Sequence, residues 1–352
     1  MNRCKEFETL DSQLKAYCGS GTGSAFFKRN LAPGWWSGEM SGNRSLTLSL
    51  AYVVAQRLGV SLLPLINGGE LAPDEMTGMA YKKRNTDDEG TVDRTSAFLY
   101  QLAKATLTGI EKPDDVPRTP EEMRSRILRD YREVDFRSLL DYCWNLGVPV
   151  LSMSGHIPRS GTHWHRPQAA VFKHAGKYCI FILEKSSFNA KPLFLLAHEL
   201  GHIASGHLDG DGCCHLDDKV ELGKGEELEC EANTFALKLL SGCYDFEPCP
   251  KSYPKGIADW AIATGKRHNV NPGHLVLRDA FTKSLGRDQA TRRRMIAVGM
   301  SALKLINQAK ETEPQRQILV KEYENLKEDN YNDETYEYIT SGTGLMLDET
   351  GE

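Results

Sequence analysis

Apolar positions along this chain follow two rhythms. Helical spacing dominates. Residues 45–58 (SLTLSLAYVVAQRL) predict a helix that Gly59 stops, and Val60-Ser61-Leu62-Leu63 starts a second short apolar segment. Residues 93–108 (DRTSAFLYQLAKATLT) predict another amphipathic helix. The stretch 111–120 holds three prolines and two aspartates and reads as a linker. Two further helices follow, EEMRSRILRDY and DFRSLLDYCWNLG, the second closed by Gly147.

The rhythm then changes. GVPVLSM reads as a strand, and AAVFKHAGKYCIFILE as two strands joined by a turn at Ala175-Gly176. Pro192 opens a strongly apolar helix, PLFLLAHELGHIAS, with Ser186, Ser187 and Asn189 available to cap it. A Gly/Asp-rich stretch, HLDGDGCCHLDD, reads as a loop. The helix GEELECEANTFALKLLSG comes next, and the remainder is mostly helical to about residue 318. The elements predict an α+β chain in three parts: a helical region over 1–118, a mixed unit over 119–318 and a tail over 319–352.

Composition refines this picture at three points. Nine cysteines are scattered without a CxxC pair, which suits free thiols in a reducing cytoplasm. No run of eighteen apolar residues exists, and the expectation is a cytoplasmic protein with no membrane partner. Glu328 to Glu352 carry eight acids and no Lys or Arg. The other 40 acids stand against 43 bases, so the body is +3 while the whole chain is -5. The tail is expected to be solvated and partly disordered.

The chemistry lies in the apolar helix. His198-Glu199-Leu200-Gly201-His202 is an H-E-x-x-H motif. Residues i and i+4 share one helix face, so two imidazoles can converge on one ion while Glu199 projects at another angle to serve as general base. A helix as apolar as Leu193 to Ala197 is buried, and buried polar groups need a reason. Catalytic zinc usually takes three protein ligands. His207, His215, a cysteine and a downstream glutamate all come into question. A third histidine in the H-E-x-x-H-x-x-G-x-x-H pattern fails, because Gly206 and His207 are each one position out of register. On the downstream helix the apolar face is Ala232, Phe235, Ala236, Leu239 and Leu240. At 100° per residue Glu229 falls about 50° from its centre and Glu231 about 110°. Glu229 is therefore expected to point inward as the third ligand, with Asn233 one turn on, placed to hydrogen-bond a ligand histidine.

FLLAHELGHIASGH followed by ELECEANTFALKLL resembles the ImmA/IrrE family of metallopeptidases, whose pattern is an A-H-E-x-x-H helix and then an E-x-E-A-N-x-F-A helix. The resemblance extends from about Asp135 to Asp279, through GVPVLSM, the hairpin and WAIATGKRHNVNPGHLVL. It implies a zincin-like peptidase core with Zn2+ as cofactor and the first glutamate of E-x-E-A-N, here Glu229, as third ligand. It also implies a bacterial cytoplasmic enzyme that cleaves a co-encoded XRE-type repressor to induce a stress, mobile-element or anti-phage response. The chain departs from the family in its incomplete helix-turn-helix within 1–118, its long loop after His207 and its acidic tail. The alternative from another class is a DNA-binding, regulatory or antitoxin-like module that keeps the fold with little proteolysis.

Lesser signals complete the reading. A thiolate from Cys213 or Cys214 is chemically suited to occupy an open zinc position as a switch. His268 or His274 could hydrogen-bond a tetrahedral oxyanion. Arg292-Arg293-Arg294, with Lys283, Arg287 and Lys304, reads as a solvated helix face, with DNA as an activating signal the rival interpretation.

Overall fold

The computed structural model describes residues 3–73, 94–111, 115–153, 164, 167–208, 214–217, 227–310 and 313–344. It is a mostly helical α+β protein with one small mixed sheet. Four helices come first: α1 (Lys5–Cys18), α2 (Arg44–Leu58), α3 (Leu62–Asn67) and α4 (Arg94–Thr108). Asn43 caps α2 by accepting from the Leu46 amide, and Gly59 ends it in the left-handed region at φ 66°. The helix pair that the sequence suggested as half of a helix-turn-helix is thus α2 and α3. The second member is only six residues long and carries no Lys or Arg to neutralise phosphate.

α5 (Pro120–Ile127) and α6 (Phe136–Asn145) lead into the sheet. Strand β1 (Val150–Leu151) lies parallel to β3 (Lys177–Ile182). β3 is antiparallel to β2 (Ala169–His174), and β2 is antiparallel to β4 (Cys214–Asp217), giving the order β1-β3-β2-β4. The β2–β3 turn has both central residues at positive φ, Ala175 at 50° and Gly176 at 71°, the geometry a two-residue hairpin demands.

Ala169 to Phe172 and Cys179 to Ile182 are all buried, without the in-out alternation of a half-solvated sheet. The cause is a helix on each side. α4 covers one face, with Tyr100 against Phe172, and α7 (Ala190–Ala204) covers the other. α8 (Glu227–Ser241) then lies on α7. The main core therefore runs unbroken across residue 118, from Phe7 to Ile339. A second core joins α9 (Pro254–His268), α10 (Pro272–Ser284) and α11 (Gln289–Lys310) through Ile257, Ala261, Val276 and Leu303.

Two expectations need correction. The stretch after His207 is not wholly loop, since Cys214 to Asp217 form β4 on the sheet edge. The segment 319–352 is not a solvated tail as far as Gly344. After α12 (Gln315–Glu322), Tyr323, Leu326, Tyr338 and Ile339 are buried, and α13 (Asp333–Thr343) packs on α4. The Arg57 guanidinium lies 4.6 Å from the Tyr338 ring centre, and the Tyr331 hydroxyl donates to the Thr106 carbonyl. Apolar anchors and a cation–π contact hold the acidic segment to the body. Among the described residues no helix is long and apolar enough to cross a membrane.

Candidate metal centre

α7 is buried on nearly every side, from Leu195 to Ala204, because it fills the space between sheet and α8. Three of its buried residues are His198, Glu199 and His202, each with no solvent exposure. The helix begins at Ala190, two residues before Pro192, with Asn189, one of the three candidate caps, in the N-cap position, but its side chain does not cap it. That amide instead donates to the Glu313 carbonyl.

The α7–α8 crossing depends on Gly201. A Cβ there would lie 2.9 Å from the Ala232 carbonyl oxygen and 3.0 Å from its Cα. Both are backbone atoms, so the absent side chain sets how closely α8 approaches. On α8, Ala232, Phe235, Ala236, Leu239 and Leu240 are buried, and the helix turns as the angular argument requires. The Glu229 side chain is 15% exposed and the Glu231 side chain 57%.

The result is a convergence of three donors. The Nε2 atoms of His198 and His202 face one another at 3.0 Å. Oε2 of Glu229 lies 3.5 Å from His198 Nε2, and its Oε1 lies 3.9 Å from His202 Nε2. All three side chains offer a ligand atom within 4.8 Å of one another. Zinc bond lengths of ~2.0–2.2 Å and tetrahedral angles place ligand atoms roughly 3.3–3.5 Å apart. The observed separations bracket that range, and two imidazole lone pairs with a carboxylate are the donor types that a divalent transition metal takes. The residues fit such an ion.

The other predicted residues are placed as follows. Asn233 is buried on α8, one turn beyond Glu229. His274 is fully buried on α10. Its Nε2 pairs with the Ser241 hydroxyl at 3.0 Å, and its ring stacks on Phe194, which separates it from His198. Burial, with Arg278 and Arg124 nearby, pushes its pKa down to about 3, so it is neutral. His268 is exposed at the end of α9, its ring edge-on to Phe246. Cys213 lies outside the described residues. Cys214 begins β4, where its backbone is paired with Phe172.

Two residues near the centre were legible only in part. His207, weighed as a third ligand, instead sits against the far side of His202, Nδ1 to Nδ1 at 2.8 Å. Glu231, read as outward, reaches the Nε2 of His207 at 3.1 Å. The available signal was Gly206, at φ 73° just past the end of α7. It forms a Schellman turn in which the His207 amide donates to the His202 carbonyl and the Gly206 amide to that of Ile203, folding His207 back over the last turn.

No family model matches the chain, and no curated protein matches it.

Proposed function

We propose that this protein is a zinc-dependent endopeptidase of the kind its two-helix pattern resembles, acting on a protein substrate. The observation that supports this most is the meeting of His198, His202 and Glu229 from two packed helices, beside a carboxylate that is not among the three donors. Zinc held there would polarise the scissile carbonyl and lower the pKa of a bound water to about 7. The rest falls to the chain's own residues. His198 and His202 offer Nε2 lone pairs from consecutive turns of α7, and Glu229 offers negative charge from α8. Glu199, shielded from solvent, accepts the proton of the attacking water and returns it to the leaving amine. Burial removes competing water and strengthens each of these interactions. By the same resemblance the substrate is an XRE-type repressor encoded nearby.

The test is cleavage of that repressor, followed by mass spectrometry, with wild type and Glu199→Gln. Wild type is expected to cut at one or a few bonds. Glu199→Gln is expected to retain zinc and lose activity by at least 10²-fold, the lower end for a general base. Stable co-purification with the repressor and no cleavage by wild type would favour the antitoxin-like alternative instead.

A further inference from the structure

The side of His202 that faces away from the three-donor centre is occupied by a second imidazole and a carboxylate in series. His202 Nδ1 meets His207 Nδ1 at 2.8 Å, and His207 Nε2 meets Glu231 Oε2 at 3.1 Å. Each ring of a neutral histidine carries one proton, on one nitrogen or the other. A carboxylate only accepts. Glu231 therefore draws the His207 proton to Nε2, which leaves Nδ1 of His207 as an acceptor. That acceptor in turn holds the His202 proton on Nδ1. The one remaining lone pair of His202 is then on Nε2, the atom that faces His198 and Glu229. With both rings neutral, this chain of contacts has one arrangement of protons, and it readies His202 as a ligand.

We propose that His207 and Glu231 are positioning residues that fix the His202 tautomer and ring orientation for metal binding. This rests on the reading of His198, His202 and Glu229 as a metal centre. Ligand histidines commonly have their other nitrogen held by a carboxylate or carbonyl. Here an imidazole is interposed, and the carboxylate comes from α8. That helix also supplies Glu229, so the relay is a second polar tie between the two helices that build the centre. The geometry also accounts for the placement of both groups. The His207 side chain is 3% exposed although it lies just beyond the helix end, because the Gly206 turn brings it back over α7. Glu231 is more than half exposed, so its carboxylate reaches the relay from the solvent side at little desolvation cost.

The experiment has two readouts, neither of them peptidase activity. The first is the tautomer of His202 in metal-free protein at pH 8, read from long-range ¹H–¹⁵N correlations of the imidazole nitrogens. The second is zinc affinity, read by competition with a chromophoric chelator. Wild type should show His202 protonated on Nδ1. His207→Ala should mix the tautomers and weaken zinc by about 10–100-fold. Glu231→Ala should do the same to a smaller degree, and Glu231→Gln should restore part of the loss, since its amide oxygen still accepts from Nε2. Glu231 is exposed, so its variants remain informative if His207→Ala fails to fold. Wild-type His202 protonated on Nε2, or unchanged tautomer and affinity in both alanine variants, would overturn the proposal while leaving the metal centre standing. A wild-type protein that binds no zinc would instead remove the metal centre itself, and the positioning role with it.

Discussion

Among the described residues histidine is buried in two places, and the two differ in every respect that matters to chemistry. On α10, His274 is alone. A hydroxyl satisfies it, an aromatic ring covers it, and two guanidinium groups nearby help keep it neutral. On α7, His198 and His202 face each other, a carboxylate from α8 closes on both, and a third imidazole backs one of them. Burial is common to both regions. What distinguishes them is convergence: two imidazoles and a carboxylate that face one another are suited to share a cation, whereas a lone imidazole against a serine is satisfied as it stands.

The sharpest way to break this contrast is at the helix crossing. Gly201→Ala places a methyl group against the backbone of Ala232, so α8 must move and carry Glu229 with it. The expected loss is roughly 1–3 kcal/mol of stability, as for overpacked cores, together with most of the zinc affinity. Denaturant titration and chelator competition check the two parts. Retained affinity would show that close approach of α8 is not needed.

A second substitution tests the other side. His274→Gln should leave zinc stoichiometry unchanged and alter only the pH dependence of stability. In the wild type the folded-state pKa lies near 3 and the unfolded value near 6.5. The unfolded chain therefore binds a proton between those values that the folded one does not. Stability from this group is present above pH ~6.5 and is lost as pH falls towards 3, at up to about 1.4 kcal/mol per pH unit. Denaturation midpoints should thus fall more steeply with acid in wild type than in His274→Gln. Parallel curves would remove the assignment of a neutral buried histidine.

The smallest effect is expected at Gly206. A side chain there meets open space, so Gly206→Ala costs only the positive φ, about 1 kcal/mol. Zinc should weaken modestly as His207 loses its anchor, while the environment of His274 stays as it was.

Much of this arrangement is written locally in the chain. The i, i+4 spacing of His198 and His202, and the angular separation of Glu229 from Glu231, need only helix geometry, and both are found as expected. The sheet hairpin was equally plain, because Ala175-Gly176 sits between two apolar runs. What was hidden depended on tertiary partners. β4 reads as loop because Cys-His-Leu-Asp has no strand signature and pairs only because β2 offers an edge. The acidic segment looked solvated by charge count, yet Tyr338 and Ile339 are spaced to insert against α4 and under Arg57. Gly201 gives no hint of its role until Ala232 is brought against it. Asn271 caps α10 and Pro272 opens it, but nothing local says that His274 turns against Phe194 and Ser241 rather than towards His198 and His202.

The most direct test of convergence is metal content. Protein purified without added metal, then dialysed against a weak chelator, should hold one zinc per chain by elemental analysis in wild type and in His274→Gln, and almost none in Glu229→Ala. Wild-type protein free of transition metal, or a full equivalent retained by Glu229→Ala, would contradict the three-donor centre.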